Sequence, residues 1–489
     1  MRNLFNVAGP PGRRRKTGPV AWFTLAFCIL ALSGLMLQAG SALTQVVPES
    51  RFDRSGDPLN VGKEVMETAA IENCFYFAPV ATDPGWNSFF PEPNSAYPSG
   101  IFKVPEGAEL FLEGEFPHAR YASFTQYDPG AGLGGAQVIN DIEIEPDPGS
   151  VNPFRDGENR NAKNRSYTLR FEFGALPDPA SREPNTIYLG LRPARVPRIN
   201  VMRIYVPDKG TTPAGGVALP TPVLKMADGT VLRDQAACDE LTGQFNGRVP
   251  FPQAQWDPEA YQEARDNHPM YPFTHPAQNP AVWNTNWATA FDFCINFTPE
   301  LDCGEPVGGG NGLGNPANRY LKTYIDRGHG DVFVMRGKKP KTATTYFGDP
   351  FTEYDGTDMR FFSITAAETL YSWRSGDGVF DEEIPADRDG FYTVAISRPR
   401  HRPTNATYRC GVAWIEWPAA GDGFGDIHLA RVATRFTLTG PDFAPLVTEV
   451  GGEEEAFGDW YPQSEYMSTE EFDERFPCHH IDDGDDDEQ

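Results

Sequence analysis

The sequence predicts an all-β protein made of two tandem antiparallel β-sandwich domains of jelly-roll type, joined by a short helical connector. Three observations lead to this fold class. Gly (48) and Pro (45) are frequent in a chain of 489 residues, which favours many short strands joined by turns over long helices. Short stretches alternate apolar and polar residues. Similar motifs also recur in the same order in both halves of the chain, as expected for a repeated unit.

Residues 1–42 are typical of a secretory signal peptide. A basic segment at residues 13–16 precedes an apolar run at residues 20–36, and small residues follow at Gly40 and Ala42. This order predicts export to the periplasm, the cell surface or the medium, with cleavage after Ala42. A retained membrane anchor is the alternative, because a run of about 17 residues is near the lower limit for spanning a bilayer. After cleavage we expect no stable membrane span.

Residues 43–231 are predicted to form the first sandwich domain. Leu110 and Leu112 alternate with Glu109 and Glu113, which indicates a strand with one face in the core. The segment at 167–173 alternates in the same way. Further strand candidates in the whole chain are residues 120–127, 186–191, 201–206, 332–336, 391–397, 412–417 and 430–438.

Residues 232–300 are predicted to be an ordered connector with a short helix. Asp257 as N-cap and Pro258 at the first helical position begin this helix, which ends before Pro269.

Residues 301–460 form the predicted second sandwich domain. In the C-terminal segment 461–489, Ser468 and Glu471 form a capping-box pattern that predicts another short helix, and an acidic tail follows it.

The two halves share several motifs. The pattern G-x6-G-x2-P begins at Gly107 and again at Gly330, and an Arg-aromatic-x-Ser motif follows at Arg120 and Arg360. Two further matches between the halves are predicted. The strand bearing Tyr188 matches the strand bearing Tyr392, and the strand ending at Pro207 matches the strand ending at Pro418. The shared order predicts an internal duplication.

Charge and cysteine content agree with an exported protein. The chain carries 42 basic and 68 acidic residues, a formal charge of −26, so nucleic acid and anionic membrane surfaces are not expected as general partners. Six cysteines remain outside the signal segment, an even number that predicts disulfides. Cys294 and Cys303 are the closest pair, and a zinc site is the weaker alternative because no C-x-x-C spacing occurs. The six candidates are Cys74, Cys238, Cys294, Cys303, Cys410 and Cys478.

Several segments resemble exported bacterial proteins built from paired domains of unknown function. In the first half these are FPHARYASFTQYD, EIEPDPGSVNPF, NTIYLGLRPARVPRINVMRIYVPD and GGVALPTP, and in the second half DMRFFSI, DGFYTVAISRPRHRPTNA and GVAWIEWP. The resemblance implies a jelly-roll-like β-sandwich architecture outside the cytoplasm. It implies no reaction, cofactor or catalytic residue.

Arg120, Tyr121 and Arg360 are candidate ligand-binding residues. An arginine at a strand start can present two parallel N–H donors to a carboxylate or phosphate of a ligand. The alternative is a structural role, in which each arginine pairs with an aspartate of the framework. Presence in both halves favours the structural role.

Four carboxylates at Asp141, Glu143, Glu145 and Asp147 are candidate calcium ligands. On an extended strand they share one face, and bound Ca²⁺ relieves their mutual repulsion. A solvated strand face is the simpler alternative, and a carboxyl pair for glycoside hydrolysis is a third. No other cofactor is expected.

The aromatic residues Trp86, Phe89, Phe90 and Tyr97 lie in a segment rich in Pro and Asn. Exposed rings beside polar amides can bind a sugar, whereas packed rings close a core or an interface. Of these, Trp86 and Tyr97 are the candidate ligand contacts.

The functional prediction is an extracytoplasmic binding or surface-structural protein that engages carbohydrate or another extracellular ligand. The common catalytic motifs, such as G-x-S-x-G, H-E-x-x-H and the P-loop, are absent from the sequence. The alternative is a hydrolase of an extracellular polymer, with carboxylates or histidines between the two sandwiches. The oligomeric state is not predicted.

Overall fold

The structure is a computed structural model, and β-strands dominate the part of the chain that it describes. The predicted signal segment, nearly all of the predicted connector helix and the acidic tail lie outside that part. Within it, no helix is both long and apolar enough to cross a membrane. The described residues are 73–76, 87, 89–127, 137–191, 193–194, 196–242, 259, 277–285, 315–347, 356–369, 372–443, 447 and 451–478.

Ten strands lie in the first half of the chain, counted over the described residues up to 242. They are β1 (Ser95–Ala96), β2 (Ser99–Phe102), β3 (Glu109–Glu115), β4 (Ala119–Tyr127), β5 (Gln137–Asn140), β6 (Ser166–Glu172), β7 (Thr186–Tyr188), β8 (Arg198–Pro207), β9 (Thr221–Lys225) and β10 (Val231–Arg233). Sheet 1 has the order β1-β8-β4-β5, with β2 also paired to β8, and sheet 2 has the order β10-β9-β3-β6-β7. All pairs are antiparallel except the parallel pair β6–β7.

Nine strands lie in the second half, counted over the described residues from 277 onward. They are β11 (Asn284–Thr285), β12 (Asn318–Asp326), β13 (Val332–Lys338), β14 (Met359–Ala367), β15 (Ser375–Phe380), β16 (Phe391–Ser397), β17 (Ala413–Glu416), β18 (Leu429–Thr439) and β19 (Gln463–Met467). Sheet 3 has the order β11-β12-β18-β14-β15, and sheet 4 has the order β17-β16-β13-β19. Here β16 and β17 are the parallel pair.

The two halves have the same strand order. The path β8-β4-β5 in sheet 1 corresponds to β18-β14-β15 in sheet 3, and β9-β3-β6-β7 in sheet 2 corresponds to β19-β13-β16-β17 in sheet 4. A 3-10 helix follows the edge strand in each half, at Asp141–Glu143 after β5 and at Asp381–Glu383 after β15. The parallel pair also occurs at the same place in both halves.

Each half has its own apolar core between its two sheets. Leu112 of β3 and Phe124 of β4 belong to one cluster of buried side chains. Phe333 of β13 and Phe362 of β14 belong to the corresponding cluster in the second half. Sheets 1 and 2 therefore pack on each other, as do sheets 3 and 4.

Sheets 1 and 3 also pack on each other through their opposite faces. A third cluster joins Tyr121 and Tyr205 of the first half to Phe361 and Phe380 of the second. The ring centroids of Tyr205 and Phe361 lie 5.2 Å apart with an angle of 61° between the ring planes, in an edge-to-face contact. Because both faces are covered, every residue of β4 and of β14 is buried.

Three α-helices occur in the described chain. They are α1 (Asp234–Thr242), α2 (Glu453–Phe457) and α3 (Thr469–Arg475). Helix α3 is the one predicted from the capping box: the Ser468 hydroxyl accepts a hydrogen bond of 3.1 Å from the Glu471 amide. Helix α1 was not predicted from the sequence.

Three sequence predictions need correction. The sheets are not purely antiparallel, since each half contains one parallel pair. Tyr392 of β16 corresponds to Tyr167 of β6 rather than to Tyr188, which lies on β7. The strand that ends at Pro207 is β8, which corresponds to β18 and not to the strand before Pro418. In both cases, similar short motifs occur on strands that do not correspond in the two halves.

Among the described residues, each half contains one disulfide. Cys74 bonds to Cys238 over 164 positions, and Cys410 bonds to Cys478 over 68 positions. They fit an oxidising compartment outside the cytoplasm. Cys294 and Cys303 lie outside the described residues.

Candidate functional site

The junction of sheets 1 and 3 brings together most of the residues that the sequence analysis singled out. Arg120 at the start of β4 reaches across to the second half, and its side chain is fully buried. Its Nη1 donates to Asp381 Oδ1 at 2.8 Å and Oδ2 at 3.0 Å, and its Nη2 donates to Glu382. Its Nε donates to the Thr345 hydroxyl at 2.5 Å. The guanidinium of the first half is thus held by carboxylates of the second.

Arg360 at the start of β14 makes the reverse connection. Its Nη1 donates to Asp141 Oδ1 at 2.9 Å and Oδ2 at 3.2 Å. Asp141 also accepts from the Ala122 amide at 2.6 Å, and Asp381 accepts from the Phe362 amide at 3.0 Å. Each aspartate therefore ties a strand of its own half to the arginine of the other. We call Arg120, Asp381, Glu382, Arg360 and Asp141 the reciprocal clamp.

Burial sets the pKa direction of two clamp carboxylates, whereas ion pairing sets that of Arg120. Burial raises the pKa of Asp141 to about 6, although the charge of Arg360 and the Ala122 N–H favour the ionised form. Burial raises the pKa of Glu382 as well, against the opposing effect of Arg120. For Arg120, burial lowers the pKa, but Asp381 and Glu382 outweigh it and the net direction is upward. These carboxylates are costly to leave without an arginine.

Tyrosines surround the clamp. The Tyr121 hydroxyl donates to Asn140 Oδ1 at 2.7 Å and accepts from Asn315 Nδ2 of the second half at 3.3 Å. Tyr97 packs against Tyr205 at 6.1 Å between ring centroids, and its hydroxyl accepts from the Glu92 amide at 2.7 Å. Burial raises the pKa of both Tyr97 and Tyr121, so both hydroxyls are neutral donors and acceptors within the junction.

A segment of the first half also anchors in the second half. We call Asn87 together with residues 89–94 the N-terminal strap. The Asn87 amide exchanges two hydrogen bonds with the Ser375 backbone, at 2.7 and 2.8 Å. Buried Glu92 accepts from the Ser363 hydroxyl at 2.7 Å and from Arg435 Nη1 at 3.0 Å. Phe90 N donates to Trp373 O at 2.7 Å. The Glu92–Arg435 ion pair thus crosses the junction in addition to those of the clamp.

This arrangement binds the two halves to each other. In the described junction, the buried carboxylates Asp141, Asp381, Glu382 and Glu92 each hydrogen-bond to an arginine, and solvent does not reach the Arg120 and Asp381 side chains. Such carboxylates are already paired and have no access to a substrate. The geometry therefore supports the structural alternative for Arg120 and Arg360.

The four candidate calcium ligands do not share one face. Residues Asp141–Glu143 form a 3-10 helix instead of an extended strand, because Glu143 accepts from the Asn140 amide and side chain at 2.7 Å each. Glu145 is exposed and pairs with Arg155, which lowers its pKa. Asp147 follows the turn and its amide bonds to Ser166 O. No group of three or more potential metal-ligating side chains occurs in the described chain.

The described aromatic candidates pack against other aromatic rings of the protein. Phe89 and Phe90 lie 5.4 and 6.1 Å from Trp373, measured between ring centroids. Tyr97 is buried in the junction, as described above. Trp86 lies outside the described residues. The described rings therefore close the junction, as in the packing alternative.

Four residues of the junction were not predicted from the sequence: Asp381, Glu382, Glu92 and Arg435. One signal could have found the first of these: Asp141 and Asp381 each stand 21 positions after the arginine of their own half. This shared spacing would have indicated that the aspartate belongs to the repeated framework. Glu92 and Arg435 have no such repeat, and their pairing depends on the path of the strap.

A separate group of ionisable residues lies at one end of the second half. In the turn after β12, Arg327 Nη2 donates to Asp331 Oδ1 at 2.8 Å, and His401 Nδ1 lies 2.8 Å from the same oxygen. His401 is about a quarter exposed at 26% of its side-chain surface. A carboxylate at Nδ1 orients an imidazole so that Nε2 can take or give a proton.

Comparison with known proteins assigns no activity. No family model and no curated protein matches the chain. Among solved structures, it is similar to an uncharacterised protein from Burkholderia cenocepacia, with a TM-score of 0.40, 13% identity, and coverage of 84% of this chain and 87% of the other. It is also similar to a protein from Vibrio parahaemolyticus, with a TM-score of 0.35, 12% identity, and coverage of 78% and 91%.

Proposed function

We propose that this chain is an exported, non-catalytic binding or surface-structural protein, built from two tandem β-sandwiches that arose by duplication. The reciprocal clamp carries the proposal. It commits the conspicuous buried carboxylates and arginines of the junction to internal pairing, so that the two halves act as one rigid body. A rigid pair of β-units with its loops outside is suited to presenting surfaces to extracellular ligands.

The same proposal includes an extracytoplasmic location. Two disulfides support it, since such bonds persist in oxidising compartments. The strong acidic charge of −26 favours ligands other than nucleic acid. The proposed ligand class is carbohydrate, as predicted from the sequence. Tyr97 is no longer a candidate ligand contact, because its ring is buried.

The test is a binding screen of the intact exported protein against a glycan panel and against the surface of the native cell. We expect saturable binding to a glycan or a cell-surface component. The matched control is Arg170→Gln, which removes an exposed arginine that pairs with Glu172 and should leave binding unchanged. Absence of any glycan or surface binding, in a protein that stays monomeric, contradicts the proposal.

A second candidate function is hydrolysis of an extracellular polymer, favoured by the Asp331–His401 contact. In this case His401 is the general base that activates water. The test compares hydrolysis of a polysaccharide and polyester panel by the native protein and by His401→Gln, with exposed His428→Gln as the control. If only His401→Gln loses turnover, the result supports a hydrolase. If the native protein shows no turnover on any substrate, the result contradicts this second candidate function.

A further inference from the structure

A buried arginine of the first half has no carboxylate partner in the described chain. Arg165, just before β6, is only 3% exposed. Its Nη1 contacts both ring nitrogens of His118, at 3.0 Å for Nδ1, and its Nη2 donates weakly to Pro117 O at 3.4 Å. Its Nε is buried without a hydrogen-bond acceptor. A buried guanidinium normally has a carboxylate or several carbonyl acceptors.

The described carboxylates near Arg165 make no hydrogen bond with it. Arg160 lies nearby and is paired with Asp208, with 2.6 Å between Nη2 and Oδ1. Glu115 attracts Arg165 only at a distance and makes no hydrogen bond with it. Asp208 is therefore the near carboxylate for two guanidinium groups.

The pKa directions agree with an unmet counter-charge. Burial, together with Arg160, lowers the pKa of Arg165 to about 10. Burial and the charge of Arg165 lower the pKa of His118, and Arg160 adds to this effect while Asp208 opposes it. An anion bound here would act in the opposite sense and raise the pKa of both Arg165 and His118, because it favours their charged forms.

The corresponding place in the second half has neither the arginine nor the histidine. The Phe116 amide bonds to Arg165 O, as the Lys339 amide bonds to Gly390 O. The Asp208 amide bonds to His118 O, as the Gly440 amide bonds to Asp358 O. Gly390 and Asp358 thus stand where Arg165 and His118 stand, although the backbone bonds are the same. The basic group is not needed to form the shared fold.

We propose that Arg165, His118 and Arg160 form a binding site for an oxyanion, the carboxylate or phosphate group of an extracellular ligand. This inference rests on the proposed binding function and gives it a ligand class. The Arg165 guanidinium offers planar paired donors that match an oxyanion. His118 is only partly buried, so its imidazole is the group that an entering anion displaces from Arg165. Once displaced, His118 becomes a second donor to the anion.

The test follows the His118 imidazole by proton NMR while inorganic phosphate or acetate is added to the intact protein. The chain has eight histidines, so single-residue assignment by His118→Gln is practicable. We expect one of the two anions to shift the His118 signals saturably, and the preferred anion tells phosphate from carboxylate ligands. In Arg165→Gln, affinity should fall about tenfold or more, as expected for losing a charge-assisted bidentate contact.

Two further variants keep the result interpretable. Arg165→Lys retains the charge but loses the paired donors, so it should bind more weakly than the native protein while remaining folded. Arg170→Gln, on the neighbouring exposed surface, should bind normally. No saturable shift with either anion, or an equal shift in Arg165→Gln, overturns the site. A glycan screen that fails while phosphate or acetate still binds would contradict the carbohydrate proposal and leave the anion site standing.

Discussion

The two halves of the molecule repeat one strand order, yet their arginines at equivalent positions have different surroundings. Arg120 meets two carboxylates of the 3-10 helix Asp381–Glu383. Arg360 meets Asp141, and Ile142 stands where the second half has Glu382. The aspartate is common to both halves and the second carboxylate is not. The arginine–aspartate contact is therefore the shared part of the clamp.

A second pair of equivalent arginines also has one contact common to both halves and one contact found in a single half. Arg203 of β8 lies opposite Ser123, and Arg435 of β18 lies opposite Ser363. Each donates to a threonine on the neighbouring strand, but Arg435 also pairs with Glu92 of the N-terminal strap, whereas Arg203 donates to the Tyr127 hydroxyl. The contact between arginine and threonine is thus repeated in both halves. The contact with Glu92 of the strap occurs only at Arg435.

The largest expected effect follows from removing the arginine with two carboxylates. Arg120→Ala leaves Asp381 and Glu382 buried without their cation, and should lower the free energy of unfolding by about 4 kcal/mol. Arg360→Ala should lower it by about 3 kcal/mol, because only one carboxylate, that of Asp141, is then left without its arginine. Urea unfolding at neutral pH measures both.

The control for these variants is Arg170→Ala, in which an exposed pair is lost and the change should stay below about 0.5 kcal/mol. If Arg120→Ala is no more destabilising than this control, the clamp does not hold the halves together.

The strap gives the next prediction. Glu92→Gln keeps the size of the side chain but leaves the buried Arg435 without its carboxylate, so we expect a loss of about 3 kcal/mol. The strap should also become more accessible to protease, since part of its anchor is gone. Glu172→Gln, at an exposed pair, is the matched control. Equal stability of the two variants would show that the strap is not anchored by Glu92.

The third prediction concerns pH. The pKa of Asp141 rises from 3.8 to about 6 on folding, so its contribution to stability is complete below pH 4 and is lost as pH rises through 6. The change amounts to between about 2 and 3 kcal/mol. The difference in unfolding free energy between the native protein and Asp141→Asn should therefore shrink or reverse between pH 4 and pH 7. A difference that is constant with pH contradicts the raised pKa.

The smallest expected contrast lies between the two disulfides. The Cys74–Cys238 bond closes 164 positions and the Cys410–Cys478 bond closes 68. By chain entropy alone, replacing the first pair by serine should cost about 0.8 kcal/mol more than replacing the second. Thermal unfolding of the two double-serine proteins tests this. A larger loss from the Cys410–Cys478 pair would contradict the entropic account.

Local patterns predicted the strands better than the contacts between halves. Leu110 and Leu112 alternate with polar residues, and β3 follows that pattern. No alternation marks β4 as covered on both faces, because Ser123 and Thr125 look like solvent-facing residues until the second half packs on them. The carboxylates at 141–147 suggested a strand, since the Asn140–Glu143 cap that turns the chain cannot be told from sequence spacing alone. The partners of Arg120 and Arg360 come from 261 and 219 positions away, beyond any local signal.

The most direct test of the central claim is a double-mutant cycle between Arg120 and Asp381, using Arg120→Ala, Asp381→Ala and the double variant in urea unfolding at neutral pH. If the pair joins the halves as described, each single change is strongly destabilising and the double change costs less than their sum, by about 2 to 3 kcal/mol of coupling. Additive effects to within about 0.5 kcal/mol would contradict it.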